Sequence, residues 1–134
     1  MHRLLLLALA LVGASAASAQ SVEGVLSAAS DTLTSGEYKY VLEVEALAGQ
    51  TLVARLGSET FDTYLIIKSP TGEQEDNDDC SPGDLTRSCV QFVADADGTY
   101  RIIATSFRPG ETGPFVLGVR VDDTPVVRDE SSGS

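Results

Sequence analysis

The chain is 134 residues long and carries 20 acidic and 9 basic residues, which gives a formal net charge of −11 at pH 7. This length suits one domain with a modest core. So acidic a surface repels nucleic acid and anionic membranes, and charge therefore excludes both as partners. It suits a bound cation, a basic protein partner, or simply solubility in a salty exterior.

The first residues are typical of a secretory signal peptide. His2 and Arg3 form a short polar start, and residues 4–12 are an unbroken apolar run that is too short to span a bilayer. Small residues alternate directly after this run, and we expect cleavage after Ala19. The sequence thus predicts a leader over residues 1–19 and a secreted product, periplasmic or extracellular, without membrane insertion. Loss of Arg3 would leave a net charge of −12.

Alternation of apolar and polar residues dominates the rest of the chain and predicts β-strands. Clusters of Gly, Pro, Asp and Asn separate the predicted strands, as turns do. A short strand is predicted around residues 24–26, and the longer ones are predicted at 38–45, 51–56, 64–67, 90–92, 100–105 and 115–121. Seven or eight such strands predict an all-β fold, an antiparallel β-sandwich or jelly roll. We expect one monomeric domain over residues 20–121 and a polar tail over residues 122–134.

Cys80 and Cys89 are the two cysteines of the chain. In an exported protein, oxidising conditions favour a disulfide between them. Their spacing differs from the Cys-x-x-Cys arrangement of redox-active pairs, and the predicted mature chain has no His to complete a zinc site. We therefore predict a structural disulfide, which would stabilise the fold by roughly 2.5–3 kcal/mol.

Several short motifs follow one another along the predicted strands. They are Phe-Asp-Thr-Tyr-Leu at 61–65, Asn-Asp-Asp at 77–79, Gly-Thr-Tyr at 98–100 and Pro-Gly-Glu-Thr-Gly at 109–113. Their ordered combination resembles the bacterial pre-peptidase C-terminal domain, a small β-sandwich usually attached to secreted peptidases. The resemblance implies a free-standing, non-catalytic module outside the cell. It also implies calcium binding through acidic side chains, as in related collagen-binding modules.

An acidic loop between two predicted strands is the candidate metal site. Six carboxylates fall within it, at Glu73, Glu75, Asp76, Asp78, Asp79 and Asp84. Calcium takes six to eight oxygen ligands, so clustered carboxylates suit it. If calcium binds, we expect Asp78 and Asp79 to supply ligands, with Asp62 or Asp76 nearby. The alternative is that these side chains accept backbone hydrogen bonds in turns.

Catalysis is not expected, because the predicted mature chain lacks His and has no Gly-x-Ser-x-Gly or Ser-x-x-Lys motif. Two functions remain. The domain is a module that binds an extracellular protein or polysaccharide, or it is a folding or stability accessory of a secreted peptidase.

Aromatic side chains are favoured contacts in either case, because they bury much area at little entropic cost. The candidates are Phe107, Tyr38 and Tyr40, with core packing as the alternative for each. Phe107 is the best exposed candidate, since it lies in a predicted loop beside Arg108.

Overall fold

The structure is a computed structural model and describes residues 18–123. In chain order its strands are β1 Ser18–Leu26, β2 Asp31–Thr32, β3 Tyr38–Ala46, β4 Thr51–Gly57, β5 Thr63–Lys68, β6 Gln74–Asn77, β7 Arg87–Val93, β8 Gly98–Ser106 and β9 Gly113–Asp122. Within the described range no helix is long and apolar enough to cross a membrane.

The strands form two sheets with a shared core between them. One sheet has the order β1-β9-β4-β7 and the other the order β2-β3-β8-β5-β6, and every neighbouring pair is antiparallel. This confirms the predicted all-β antiparallel sandwich. The described part has nine strands rather than seven or eight, because two short edge strands, β2 and β6, add to the predicted set.

Inward-facing side chains of both sheets build the core. Both sheets contribute side chains that are at most 1% exposed. Among them are Leu52, Leu56, Leu117, Leu65, Ile67 and Ile102. Burying each such side chain stabilises the fold by about 1.5–3 kcal/mol relative to leaving it exposed. The alternation read from the sequence is therefore the alternation between this core and the outer faces of the two sheets.

Residues 74–77 differ from the sequence prediction, which made them part of an acidic loop. They form the edge strand β6, which pairs with β5 so that Asp76 lies opposite Ile66. An edge strand of this kind is held through its backbone and needs no apolar alternation, so its sequence gives no strand signal. Ile66 of β5 lies outside the core cluster, yet it is only 7% exposed, so this strand is covered on its outer face as well.

The predicted domain, residues 20–121, lies just inside the described residues, 18–123. β1 begins at Ser18, so Ser18 and Ala19 pair with β9 although they precede the predicted cleavage point. Residues 1–17 and 124–134 lie outside the described residues. The predicted leader and the predicted polar tail fall almost wholly on them.

The connections divide into two sets at opposite ends of the sandwich. We call one the loop end; it contains residues 58–62, 78–86 and 107–112, and the connection 27–37 with β2 lies at the same end. The other, the hairpin end, contains the turns 47–50, 69–73 and 94–97. Strand register separates the two ends, because Gly57 at the end of β4 pairs with the start of β7, whereas the start of β4 pairs with the end of β9.

Candidate functional site

Backbone hydrogen bonds join three connections of the loop end, 58–62, 78–86 and 107–112. The Thr63 N–H donates to the Leu85 carbonyl at 3.1 Å, and the Phe107 N–H donates to the Asp62 carbonyl at 2.9 Å. Two distant loops are thereby attached to consecutive residues at the start of β5. Leu85 and Phe107 consequently lie on either side of this short segment.

A glycine lets the start of β9 approach the same segment closely. An added Cβ on Gly113 would lie 1.9 Å from Thr60 Oγ1, and its φ of 141° is one that other residues rarely adopt. The Ser58 hydroxyl donates to the carbonyl of Pro114 at 2.8 Å and fixes the same contact. These connections of the loop end are therefore packed and hydrogen-bonded to one another and are not independent loops.

Carboxylates outnumber cations around Asp62. Its backbone N–H donates to Glu111 Oε1 at 3.1 Å, and its side chain is 12% exposed. The Arg108 guanidinium is 4.0 Å from the Asp62 carboxylate and 3.8 Å from that of Glu111. Burial, followed by the charge of Glu111, raises the pKa of Asp62; Asp78 and Asp79 raise it further, and Arg108 opposes them. One arginine thus faces an excess of negative charge.

Three side-chain oxygens near this segment are buried without a hydrogen-bond partner among the described residues. They are Asp62 Oδ1, Asn77 Oδ1 and Asp79 Oδ1. An unsatisfied buried polar group costs about 1–3 kcal/mol, so each needs an explanation. The structure gives these oxygens no backbone donor, which was the alternative to metal binding. Carboxylate and amide oxygens are the ligand types that calcium prefers.

The four predicted metal ligands are not equally placed. Asp78 and Asp79 act electrostatically on Asp62, whereas Asp76 lies on β6 and accepts a hydrogen bond from Gln74 Nε2 at 2.8 Å. Burial and a hydrogen bond with Asp76 raise the pKa of Tyr64 to about 12. Across residues 18–123 no group of three or more His, Cys, Asp or Glu side chains is arranged to hold a metal ion. A site made by all four carboxylates stays a prediction.

The three predicted ligand-binding aromatics differ in exposure. Phe107 is 49% exposed, its ring packs edge-on against Tyr64 at 6.3 Å, and the Arg108 guanidinium lies 5.7 Å from its centroid. Tyr38 and Tyr40 are partly buried against the core, where the Tyr40 ring contacts Phe115 at 5.6 Å. Phe107 is therefore the most accessible of the three.

Two residues that the sequence did not single out complete the loop end. Leu85 is 53% exposed and lines a pocket of about 360 Å³ together with Asp62, Arg108 and Glu111. No periodic signal marks Leu85, since it lies in an irregular connection. Glu111 belongs to the Pro-Gly-Glu-Thr-Gly motif, but its contact with Asp62 spans 49 residues and needs the fold to be seen.

The predicted disulfide between Cys80 and Cys89 is present and joins the connection 78–86 to β7. The Cys80 N–H donates to the carbonyl of Arg87 at 2.8 Å, and the Arg87 guanidinium contacts Asp84 at 3.0 Å. Hydrogen bonds from Thr86 lower the pKa of Asp84. These contacts fasten the connection 78–86 to the start of β7.

Comparison with known proteins gives a fold relationship. No family model matches the chain, and no match is found among curated proteins. Among solved structures, the chain is similar to Aeromonas hydrophila PliG, a periplasmic lysozyme inhibitor of g-type lysozyme. The two share 22% identity with a TM-score of 0.57, over 79% of this chain and 88% of PliG. Likeness at this identity shows a common fold alone.

Proposed function

We propose that the chain is an exported, non-catalytic module whose loop end binds a protein partner with a basic surface. The observation that carries the proposal is the pairing of two exposed apolar side chains, Phe107 and Leu85, with carboxylates that Arg108 does not neutralise. Apolar anchors beside charged groups are typical of protein-binding surfaces.

The charge of the chain supports a basic partner. A protein of net charge −11 attracts cationic proteins over a distance and speeds their encounter, while repelling acidic ones. A local attraction adds to this at the loop end, because burial and then the charge of Glu111 raise the pKa of Asp62, and Arg108 is the one cation among the described residues that opposes them. A lysine or arginine from the partner would relieve that imbalance.

The similarity to PliG supports a protein rather than a polysaccharide as the partner. PliG is a periplasmic lysozyme inhibitor of g-type lysozyme, so a similar fold serves in one case to inhibit another protein. Its periplasmic location and the disulfide of the present chain agree with export. A g-type lysozyme is accordingly the first purified probe.

A second function follows from the buried oxygens of Asp62, Asn77 and Asp79. In this alternative the chain is a member of the pre-peptidase C-terminal family and a folding or stability accessory of a secreted peptidase. Calcium would be held by these oxygens, with Asp78 nearby. The ion would supply structural charge compensation at the loop end.

Binding measurements on matched variants test the proposal. The mature protein is used to capture partners from the exported fraction, and its affinity for the captured partner and for a g-type lysozyme is measured by calorimetry. We expect Phe107→Ala to weaken binding at least about fivefold, because truncating an apolar anchor costs more than about 1 kcal/mol. The matched control is Leu47→Ala, since Leu47 is also 49% exposed but lies at the hairpin end.

Equal affinity of wild type and Phe107→Ala for every captured protein would overturn the proposal. Capture of a polysaccharide instead would favour the other binding function predicted from the sequence. Capture of one exported peptidase, with binding that calcium strengthens, would favour the accessory function. Melting curves of each variant show whether a lost interaction reflects the surface or the fold.

A further inference from the structure

A second concave surface lies on the outer face of the sheet β1-β9-β4-β7, next to the loop end. We call it the side groove; it has a volume of about 1010 Å³, and its lining includes Val25, Val116, Glu23, Glu59, Gly24 and Gly57. It forms where the end of β1 and the start of β9 meet the connection that follows β4. No local sequence pattern marks it, because it depends on the pairing of β9 with β1 and β4, which are distant from it along the chain.

Two glycines, Gly57 and Gly24, shape the side groove. Gly57 lies opposite Val116 in the sheet and leaves bare backbone beside it. Gly24 is required for a different reason, since an added Cβ would lie 2.5 Å from the Phe115 ring, which fills the space beneath the strand. The result is a floor of backbone and small residues flanked by Val25 and Val116, which are 62% and 49% exposed.

The rim of the side groove is negatively charged. Glu23 and Glu59 are exposed and form no ion pair with any residue of the described chain. Arg87 also lines the groove, but its guanidinium lies 3.0 Å from Asp84 and is compensated there. An occupant therefore meets apolar side chains in the middle and uncompensated carboxylates at the edges.

We infer that the side groove binds an extended segment of a partner protein in which a lysine or arginine neighbours an aliphatic residue. The inference rests on the proposed function and deepens it by naming the partner's chemistry at a second surface. Glu59, Thr60 and Thr86 line both the side groove and the pocket above Asp62, so one partner can cover both. The aliphatic residue would contact Val25 and Val116, and the cation would pair with Glu23 or Glu59.

Two other occupants fit the groove less well. Sugars bind by stacking on exposed aromatic rings, whereas the described lining contains one aromatic residue, Phe115, which is 3% exposed. A second copy of the chain would bring its own acidic surface against Glu23 and Glu59, which like-charge repulsion disfavours. Charge complementarity thus selects a basic segment.

A peptide titration tests the inference without any knowledge of the natural partner. Mature protein labelled with nitrogen-15 is titrated at low salt with acetyl-Gly-Val-Lys-Val-Gly-amide, and with the same peptide carrying Glu in place of Lys. We expect amide shifts at Gly24, Val25, Gly57 and Val116 with the lysine peptide and none with the glutamate peptide. Glu23→Gln combined with Glu59→Gln should weaken the lysine peptide by about fivefold, and added salt should do the same.

Matched variants make the titration decisive. The double change Glu43→Gln and Glu45→Gln removes the same charge from the outer face of the other sheet and should leave binding at the groove unchanged. Val116→Ser should weaken binding, whereas Val93→Ser, at a valine 52% exposed on the same face, should not. The inference is overturned if the shifts spread over acidic residues generally or if the two double variants behave alike. Such a failure would leave the Phe107 experiment, which concerns the loop end, unaffected.

Discussion

The two ends of the sandwich satisfy their polar groups differently. At the hairpin end the Ala48 N–H donates to Asp97 Oδ1 at 2.8 Å, and Asp95 accepts hydrogen bonds from Thr71 and from the Tyr100 hydroxyl. At the loop end, within the described residues, oxygens of Asp62, Asn77 and Asp79 are buried and accept nothing. Asp95 and Asp97 thus use their carboxylates within the fold, whereas Asp62 and Asp79 each leave a carboxylate oxygen available.

Exposed apolar residues alone would not reveal this difference, because they occur at both ends. Leu47 and Val93 at the hairpin end are as exposed as Phe107 and Leu85. A buried hydroxyl without a partner also occurs at the hairpin end, on Thr51, but it is neutral. Uncompensated buried charge separates the ends, and folded proteins keep such charge mainly where a ligand compensates it.

The largest expected effect on stability comes from removing the disulfide, which lies at the loop end. Replacing Cys80 and Cys89 together by serine should lower the free energy of unfolding by about 2.5–3 kcal/mol, because the disulfide restricts the unfolded chain. In a domain of this size the melting temperature should fall by about 10–20 °C. Urea unfolding and thermal melts measure both quantities.

Hydrogen exchange adds a local measurement to the disulfide experiment. Exchange should increase more in residues 78–86 than in the turn 69–73 of the hairpin end. Ser81→Ala, in the same connection, is the control and should leave both unchanged. A loss below about 0.5 kcal/mol, within the range of ordinary surface changes, would mean that backbone and ionic contacts already hold the connection closed.

The strands that the sequence predicted share one physical property. Strands such as β3, β4 and β9 carry apolar residues at every second position because one side faces the core. β2 and β6 lie at sheet edges, where backbone pairing suffices, and their residues are polar. Sequence alternation therefore finds the strands that build the core and misses those that only extend a sheet.

The site was predictable in part for similar reasons. The exposure of Phe107 was predictable because it lies in a predicted loop beside Arg108, and the disulfide was predictable because oxidising conditions favour pairing of two cysteines in an exported chain. The contact between Glu111 and Asp62 and the exposure of Leu85 depend on three connections meeting at one end. No local pattern encodes such a meeting, since it follows from the order of strands in both sheets.

The second-largest expected effect is stabilisation of the fold by calcium bound at the loop end. If calcium binds the native loop end, a hundredfold excess over the dissociation constant should stabilise the fold by about 2.7 kcal/mol. The melting temperature should then rise by something on the order of 10 °C over a sample in chelator. Asp79→Asn should remove most of this rise, because it neutralises a carboxylate whose Oδ1 is buried and has no hydrogen-bond partner among the described residues.

Asp97→Asn is the matched control for calcium, since it removes one acidic charge at the hairpin end. This variant should melt lower than wild type in both buffers and keep the full calcium-dependent rise. Identical melting of the wild type with calcium and with chelator would end the calcium hypothesis. The unpaired oxygens would then be left for a cationic side chain of the partner.

The smallest expected effect is on the melting temperature of two variants, Asp62→Asn and Asp95→Asn, measured in chelator. At pH 7 the two substitutions should change it in opposite directions. Burial and neighbouring carboxylates raise the pKa of Asp62, so its ionised form is less favourable in the folded than in the unfolded chain. Its charge therefore costs stability at neutral pH, and the cost disappears as the pH falls through the raised pKa. Asp62→Asn should raise the melting temperature at pH 7 by about 2–4 °C and have little effect near pH 3.

Asp95 should behave in the opposite way, because a hydrogen bond from Thr71 lowers its pKa. Its contribution is present above the unfolded pKa, near 4, and is lost as the pH falls through the lowered value. Asp95→Asn should therefore reduce the melting temperature at pH 7, and the reduction should shrink towards pH 3. Melts of both variants from pH 3 to pH 7 provide the comparison. Changes of the same sign at pH 7 would mean that carboxylates at the loop end are as well satisfied as those at the hairpin end, which would remove the physical basis for placing the binding surface there.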